Sequence, residues 1–142
     1  MTENEKLFMK ECDCPEILKL WKQKKGDEYI LRVRDELYDL IEKQTVFEVE
    51  GNTLCLARIS SFPFHLKEEK EDCIWLPSLS QIIVMIEKRH SGKWDIHRVI
   101  EEKNTDYLMK IWSGDYVNFF TEGATPDLCA IIALKQVIKG ER

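Results

Sequence analysis

The chain has 142 residues, 44% of them hydrophobic and 33% charged, with 26 acidic against 21 basic side chains for a formal net charge of -5. A chain of this length buries roughly two-thirds of the surface its unfolded form exposes, so a single domain over 1–142 is expected, and disorder is not. The interspersed, acidic charge disfavours broad contact with a phosphate backbone, which relies on clustered Lys and Arg, and leaves room only for a local basic patch.

The five cysteines, Cys12, Cys14, Cys55, Cys73 and Cys129, are odd in number, and the last three lie in apolar runs. Reduced core thiols fit this better than a disulfide framework. The first residues, Met1-Thr-Glu-Asn-Glu-Lys, are polar and acidic where a secretory signal is basic and then apolar. No apolar run approaches the roughly 20 residues that span a bilayer. A cytoplasmic protein without membrane contact is the expectation.

In chain order, residues 1–11 read as a polar, mobile lead whose apolar anchors are Leu7, Phe8 and Met9. Asp13 or Cys14 can cap a helix that starts at Pro15, because proline suits the first helical position. Ile17, Leu18, Leu20 and Trp21 give that helix an apolar face, and Gly26 in the polar segment Lys22–Asp27 suits its end. Glu28–Val33 reads as a strand, or as the lead into a helix over Val33–Lys43. Thr45–Glu50 and Thr53–Ile59 flank Gly51-Asn52, whose members tolerate positive φ, and form a predicted hairpin. Residues 60–70 read as a surface connection.

The best-specified stretch is Asp72–Arg89. Cys73–Leu76 is a short apolar run closed by Pro77, which has no donor with which to prolong a sheet ladder. Ser78 and Gln81 then form the S-x-x-Q pattern of a capping box, and Leu79, Ile82, Ile83 and Ile86 line one helical face. Gly92 is the expected left-handed residue after the helix. Trp94–Lys103 has Trp94, Ile96, Val99 and Ile100 at spacings that fit a short helix, with a strand over Ile96–Val99 as the alternative. Tyr107–Trp112 and Tyr116–Thr121 are expected strands joined through Ser113-Gly114-Asp115. Thr125 can cap a final, largely buried helix that has Pro126 in its first turn. Two hairpins mixed with helices predict an α+β fold: one antiparallel or mixed sheet of about four or five strands with helices packed on it.

Three segments carry a resemblance. They are Cys12-Asp-Cys-Pro-Glu-Ile with Leu20-Trp-Lys-Gln-Lys-Lys-Gly-Asp27, Ile74-Trp-Leu-Pro-Ser-Leu-Ser-Gln-Ile82, and Ala124-Thr-Pro-Asp-Leu-Cys-Ala-Ile-Ile-Ala-Leu134. In this order they resemble a group of small proteins encoded by bacteriophages, prophages and the bacteria that carry them, described as α-β-α sandwiches without an assigned activity. The resemblance spans roughly half of the chain and leaves out Arg32–Phe64. It implies a phage-type origin and an α/β-layered fold, and it supplies no site residues.

The candidate chemistry is sparse. Cys12 and Cys14 are two thiolates that could begin a zinc site, but no second ligand pair follows and an incidental helix-start turn is the cheaper explanation. Asp95, His97, Glu101 and Glu102 bring imidazole and carboxylates together, and His97 and Glu101 would share a helical face, as a general base or a metal pair requires. Without a nucleophile, a glycine-rich loop or a second ligand pair, a solvated helix face explains them more cheaply, and His65 and His90 lie in expected surface connections. Lys22, Lys24 and Lys25 beside Trp21 could touch a nucleic acid by charge and stacking, but the helix dipole is the simpler cause of lysines at a helix end, and a nucleic-acid partner is not the expectation. The four tryptophans, Trp21, Trp75, Trp94 and Trp112, should be mostly core, with an exposed one a possible anchor for a protein partner. No catalytic residue, cofactor or metal ligand is assigned. The leading expectation is a non-enzymatic phage-type accessory protein that binds another protein or itself. The alternatives are a nucleic-acid-associated protein using Trp21–Lys25 and an enzyme using His97.

Overall fold

The computed structural model describes residues 2–32, 43–50, 53–56, 67–101 and 104–140. The chain is α+β and divides into two compact units: Cys12–Leu76, and Thr2–Glu11 together with Pro77 onwards.

In the first unit, helix α2 (Pro15–Leu20) starts at its proline as the sequence predicts, with Cys14 at the N-cap making no side-chain cap bond. Strands β1 (Glu28–Leu31), β2 (Gln44–Glu50), β3 (Thr53–Leu56), β4 (Lys67–Glu69) and β5 (Cys73–Leu76) follow. All pairings are antiparallel, in the order β4-β3-β2-β1-β5, with β2 shared by a β5-β1-β2 ladder and a β2-β3-β4 ladder. The predicted hairpin partners are present as β2 and β3; its turn, the helix alternative over Val33–Lys43 except for Lys43, and most of the 60–70 connection lie outside the described residues. Within that connection, Lys67–Glu69 is a strand rather than a loop, because it pairs residue for residue with β3. All four side chains of β5 are buried, and Trp75 stacks on Trp21 with centroids 5.9 Å apart and planes 6° from parallel.

In the second unit, the lead is helix α1 (Glu3–Cys12), whose last residue belongs to the first unit. Thr2 and Glu5 explain its start: the Thr2 hydroxyl accepts from the Glu5 amide at 3.1 Å, and Glu3 and Glu5 sit where the helix dipole favours acids. Lys135 holds the other end, donating to the Glu11 carboxylate at 2.8 Å and to its carbonyl at 3.2 Å. Helix α3 (Leu79–Arg89) carries both bonds of the predicted capping box, Gln81 N–H to Ser78 Oγ at 3.2 Å and Ser78 N–H to Gln81 Oε1 at 2.8 Å. Its face buries Ile82 and Ile86.

Strands β6 (Trp94–Glu101), β7 (Asn104–Ser113) and β8 (Tyr116–Gly123) form an antiparallel meander in that order. Over Trp94–Glu101 the expected helix is therefore a strand, which contains the alternative strand Ile96–Val99. Eight consecutive residues, Trp94 to Glu101, pair with β7, and this ladder overrides an apolar spacing that fits either period. The single sheet of four to five strands is likewise replaced by two sheets. Pro77 ends β5, the chain turns into α3, and the next three strands pair among themselves. Helix α4 (Pro126–Gly140) is capped by Thr125 Oγ1, which accepts from the Leu128 amide at 3.2 Å. It packs on β7, β8 and α3, and its buried residues, among them Cys129, Ile131 and Leu134, join Met109 and Ile111 of β7 in the core.

Candidate functional site

Of the sequence-derived candidates, Cys12 is buried at the end of α1 and Cys14 is half-buried at the start of α2. Among the described residues no group of three or more His, Cys, Asp or Glu side chains is placed to hold a metal ion. His65 and Glu102 lie outside the described residues. Trp21 is 1% exposed, its indole N–H donating to Asp27 Oδ2 at 2.9 Å. Stacked on Trp75 and tilted against Tyr29, it cannot serve as the open stacking surface that the sequence suggested.

The meander assembles a different cluster around Trp112. Asp95 and His97 are two apart on β6 and so share a face, with His97 Nδ1 3.0 Å from Asp95 Oδ1. The Trp112 indole N–H donates to Asp95 Oδ2 at 3.1 Å, and Lys93 Nζ sits 4.3 Å from the Trp112 ring centroid, a distance at which an ammonium is attracted to the ring face. Burial works to raise the Asp95 pKa. Hydrogen bonds from Trp112 and His97, with the charges of His97 and Lys110, outweigh it and hold the carboxyl below its ordinary value. His90, expected in a surface connection, caps α3 and donates from Nε2 to the Trp112 carbonyl at 2.7 Å. Gly92 is required for space and not for positive φ, the described positive-φ glycines being Gly26 and Gly114. A Cβ at Gly92 would collide with the same carbonyl and meet His90 Nε2 at 2.6 Å.

The register extends this face across the sheet. Asp95 lies opposite Lys110 and Lys110 opposite Phe120, while Trp112 lies opposite Val117, and directly opposed residues point to one side. Phe120 is 59% exposed, and Val117 and Tyr116 of the same strand are exposed as well. Among the described residues the exposed aromatic side chains are Phe47, Tyr116 and Phe120, and none is a tryptophan: Trp21 and Trp75 are core, and Trp94 and Trp112 are half-buried. The signal was present in Phe119-Phe120, since adjacent residues of a strand point to opposite faces. Phe119 is partly covered and Phe120 is left in the open.

A second feature lies in the first unit. The segment Lys22–Asp27 is fixed by the buried Asp27 carboxylate, which accepts from Trp21 and from the Lys24 amide at 3.1 Å. It is tied to β2 by Gly26 N–H to Val46 O at 2.9 Å and Val46 N–H to Asp27 O at 2.8 Å. Val46 pairs with Leu56 and Glu48 with Cys55, which makes Phe47 the extra residue of a β-bulge. Phe47 is 41% exposed, and Lys25 Nζ lies 5.7 Å from its ring centroid. The signal was in Val46-Phe47, since a residue next to a buried one on a strand points outward; the bulge, which leaves Glu48 exposed as well, cannot be read from alternation.

No helix among the described residues is long and apolar enough to cross a membrane. No protein-family model, curated protein or solved structure matches the chain.

Proposed function

We propose that the chain is a cytoplasmic, non-enzymatic accessory protein of phage or prophage type that acts by self-association through strand β8. The observation that carries this reading is the exposure of Phe120, Tyr116 and Val117 on the outer strand of the meander. A long outer strand with apolar side chains is a template for further strand pairing. A second copy fits it in antiparallel register over Phe119–Thr121. Placing Phe120 opposite its own counterpart sets Thr121 against Phe119, so like-facing residues meet and no like charges oppose each other up to the register shift at Asn118. The resemblance to phage proteins supports the origin, and the absence of an assigned nucleophile or ligand set in the sequence supports a binding role.

Light scattering of the full chain over a concentration series tests this. A dimer is expected, reduced to monomer by Phe120→Lys combined with Val117→Lys, with a melting temperature that equals that of the native chain at dilutions where it is monomeric, because both side chains are exposed in the single chain. A chain that stays monomeric throughout, or a dimer indifferent to these substitutions, overturns the proposal.

A further inference from the structure

We infer that the lysine loop and the bulged Phe47 form a binding site for single-stranded nucleic acid in the first unit, separate from the self-association strand. Lys22, Lys24 and Lys25 are all exposed. They are presented by a segment that a buried carboxylate and two backbone bonds to β2 hold in place. Little ordering is therefore left to be done on binding. Beside Lys25, Phe47 follows the buried Val46 and so points outward, and the bulge leaves both Phe47 and Glu48 on the exposed side.

Charge that follows a phosphate backbone, next to an aromatic face on which a base can stack, is the combination that single strands require. Phe47 takes the role expected of Trp21. The ring already accepts one ammonium, from Lys25, and a base would take that place and leave the lysine to a phosphate. Glu28 and Glu48 are exposed carboxylates at the margin, so the patch is local and its affinity salt-sensitive. A duplex, whose bases are stacked on each other, would offer Phe47 nothing, and that favours a single strand.

The experiment is fluorescence anisotropy of the full chain with an end-labelled oligothymidylate of about 12 nucleotides, within the usual site size of one such module. Saturable binding that weakens with salt is expected. Lys24→Gln with Lys25→Gln should flatten the log-log salt slope by about 1.4, two phosphate contacts on a single strand. Phe47→Ala should weaken binding about five-fold or more, the lower end of the effect of losing one stacked base. Phe47→Tyr should restore it. If Phe47→Ala fails to fold, Phe47→Leu keeps the apolar bulk without the ring face and should show the same loss. The inference is overturned by the absence of salt-dependent binding, or by binding that ignores Phe47. Equal displacement of the oligonucleotide by polyglutamate, which has charge and no bases, also overturns it.

Discussion

The His90 imidazole donates from Nε2 to the backbone carbonyl of Trp112 at 2.7 Å, joining the end of α3 to the middle strand of the meander across 22 residues of sequence. The Trp112 amide in turn donates to the Lys93 carbonyl at 2.9 Å. The connection between helix and sheet is thus closed by hydrogen bonds on both sides of one residue. His90→Ala should lower stability by about 1 kcal/mol, the net value of one such bond, measured by denaturant unfolding. His90→Gln, which keeps a donor, should recover part of it.

Gly92 fills the remaining space between these two groups. A methyl group there meets backbone oxygen, which cannot swing aside as a side chain can. Gly92→Ala should therefore destabilise by roughly 1–3 kcal/mol, the usual range for overpacking. It should do so in the His90→Ala background as well, because the Trp112 carbonyl remains. An unchanged melting temperature would show that the connection relaxes freely.

Ser78→Ala should cost about 1 kcal/mol through loss of the N-cap, and Gln81→Ala should cost less, since Gln81 returns only the reciprocal bond. A double mutant that loses less than the sum of the single effects would mark the two bonds as one unit. This box was legible because it is local: the residues that satisfy each other are three apart, and the pattern needs no knowledge of the rest of the chain. Thr125 before α4 was legible for the same reason. The division of the strands into two sheets was not. It depends on which of several antiparallel partners each strand finds, and β6 shows the difficulty, with an apolar spacing that fits a helix and a ladder to β7 that makes it a strand. Of the candidate sites, the lysine loop was legible as charge. The open aromatic face expected at Trp21 was misread, because the burial of Trp21 is set by Trp75, far away in sequence.

Acid should weaken the second unit through Asp95. Its carboxyl is held below the ordinary value of 3.8 in the folded chain. The stability it contributes is complete above the unfolded pKa and is lost as pH falls through the depressed folded pKa. Unfolding free energy followed from about pH 5 downwards should decline less steeply in Asp95→Asn than in the native chain. Trp112 emission should change over the same range, because the indole N–H loses its charged acceptor.

Burial raises the Cys129 thiol from 9.0 to about 11, with the nearby Asp127 carboxylate adding to the effect. The thiolate is the reactive form, so Cys129 should resist alkylation near neutral pH while the half-buried Cys14 is modified. Peptide mapping after a short pulse of iodoacetamide checks this, and denaturant should bring Cys129 to the rate of an ordinary thiol. Labelling of both at equal rates in the folded chain would contradict the packing of α4 on β8, where Thr121 Oγ1 donates to the Cys129 carbonyl at 2.7 Å.

Asp27 is a demanding position in the first unit. Its Oδ2 accepts from the Trp21 indole and from the Lys24 amide, and the Asp27 backbone amide bonds to the Lys24 carbonyl at 3.2 Å. Asp27→Ala leaves a buried indole N–H without its acceptor, at a cost of about 1–3 kcal/mol, and removes a charge-assisted bond to the loop amide. Asp27→Asn keeps the shape and one acceptor oxygen and should lose less. Trp21→Phe removes the donor instead: it should be milder at the carboxylate, which retains Lys24, while giving up part of the stack on Trp75. If the loop matters only to folding, these variants will shift stability alone. If it presents Lys24 and Lys25 beside Phe47, Asp27→Asn should also weaken oligonucleotide binding at temperatures well below its unfolding transition, because the lysines would then have to be ordered on binding.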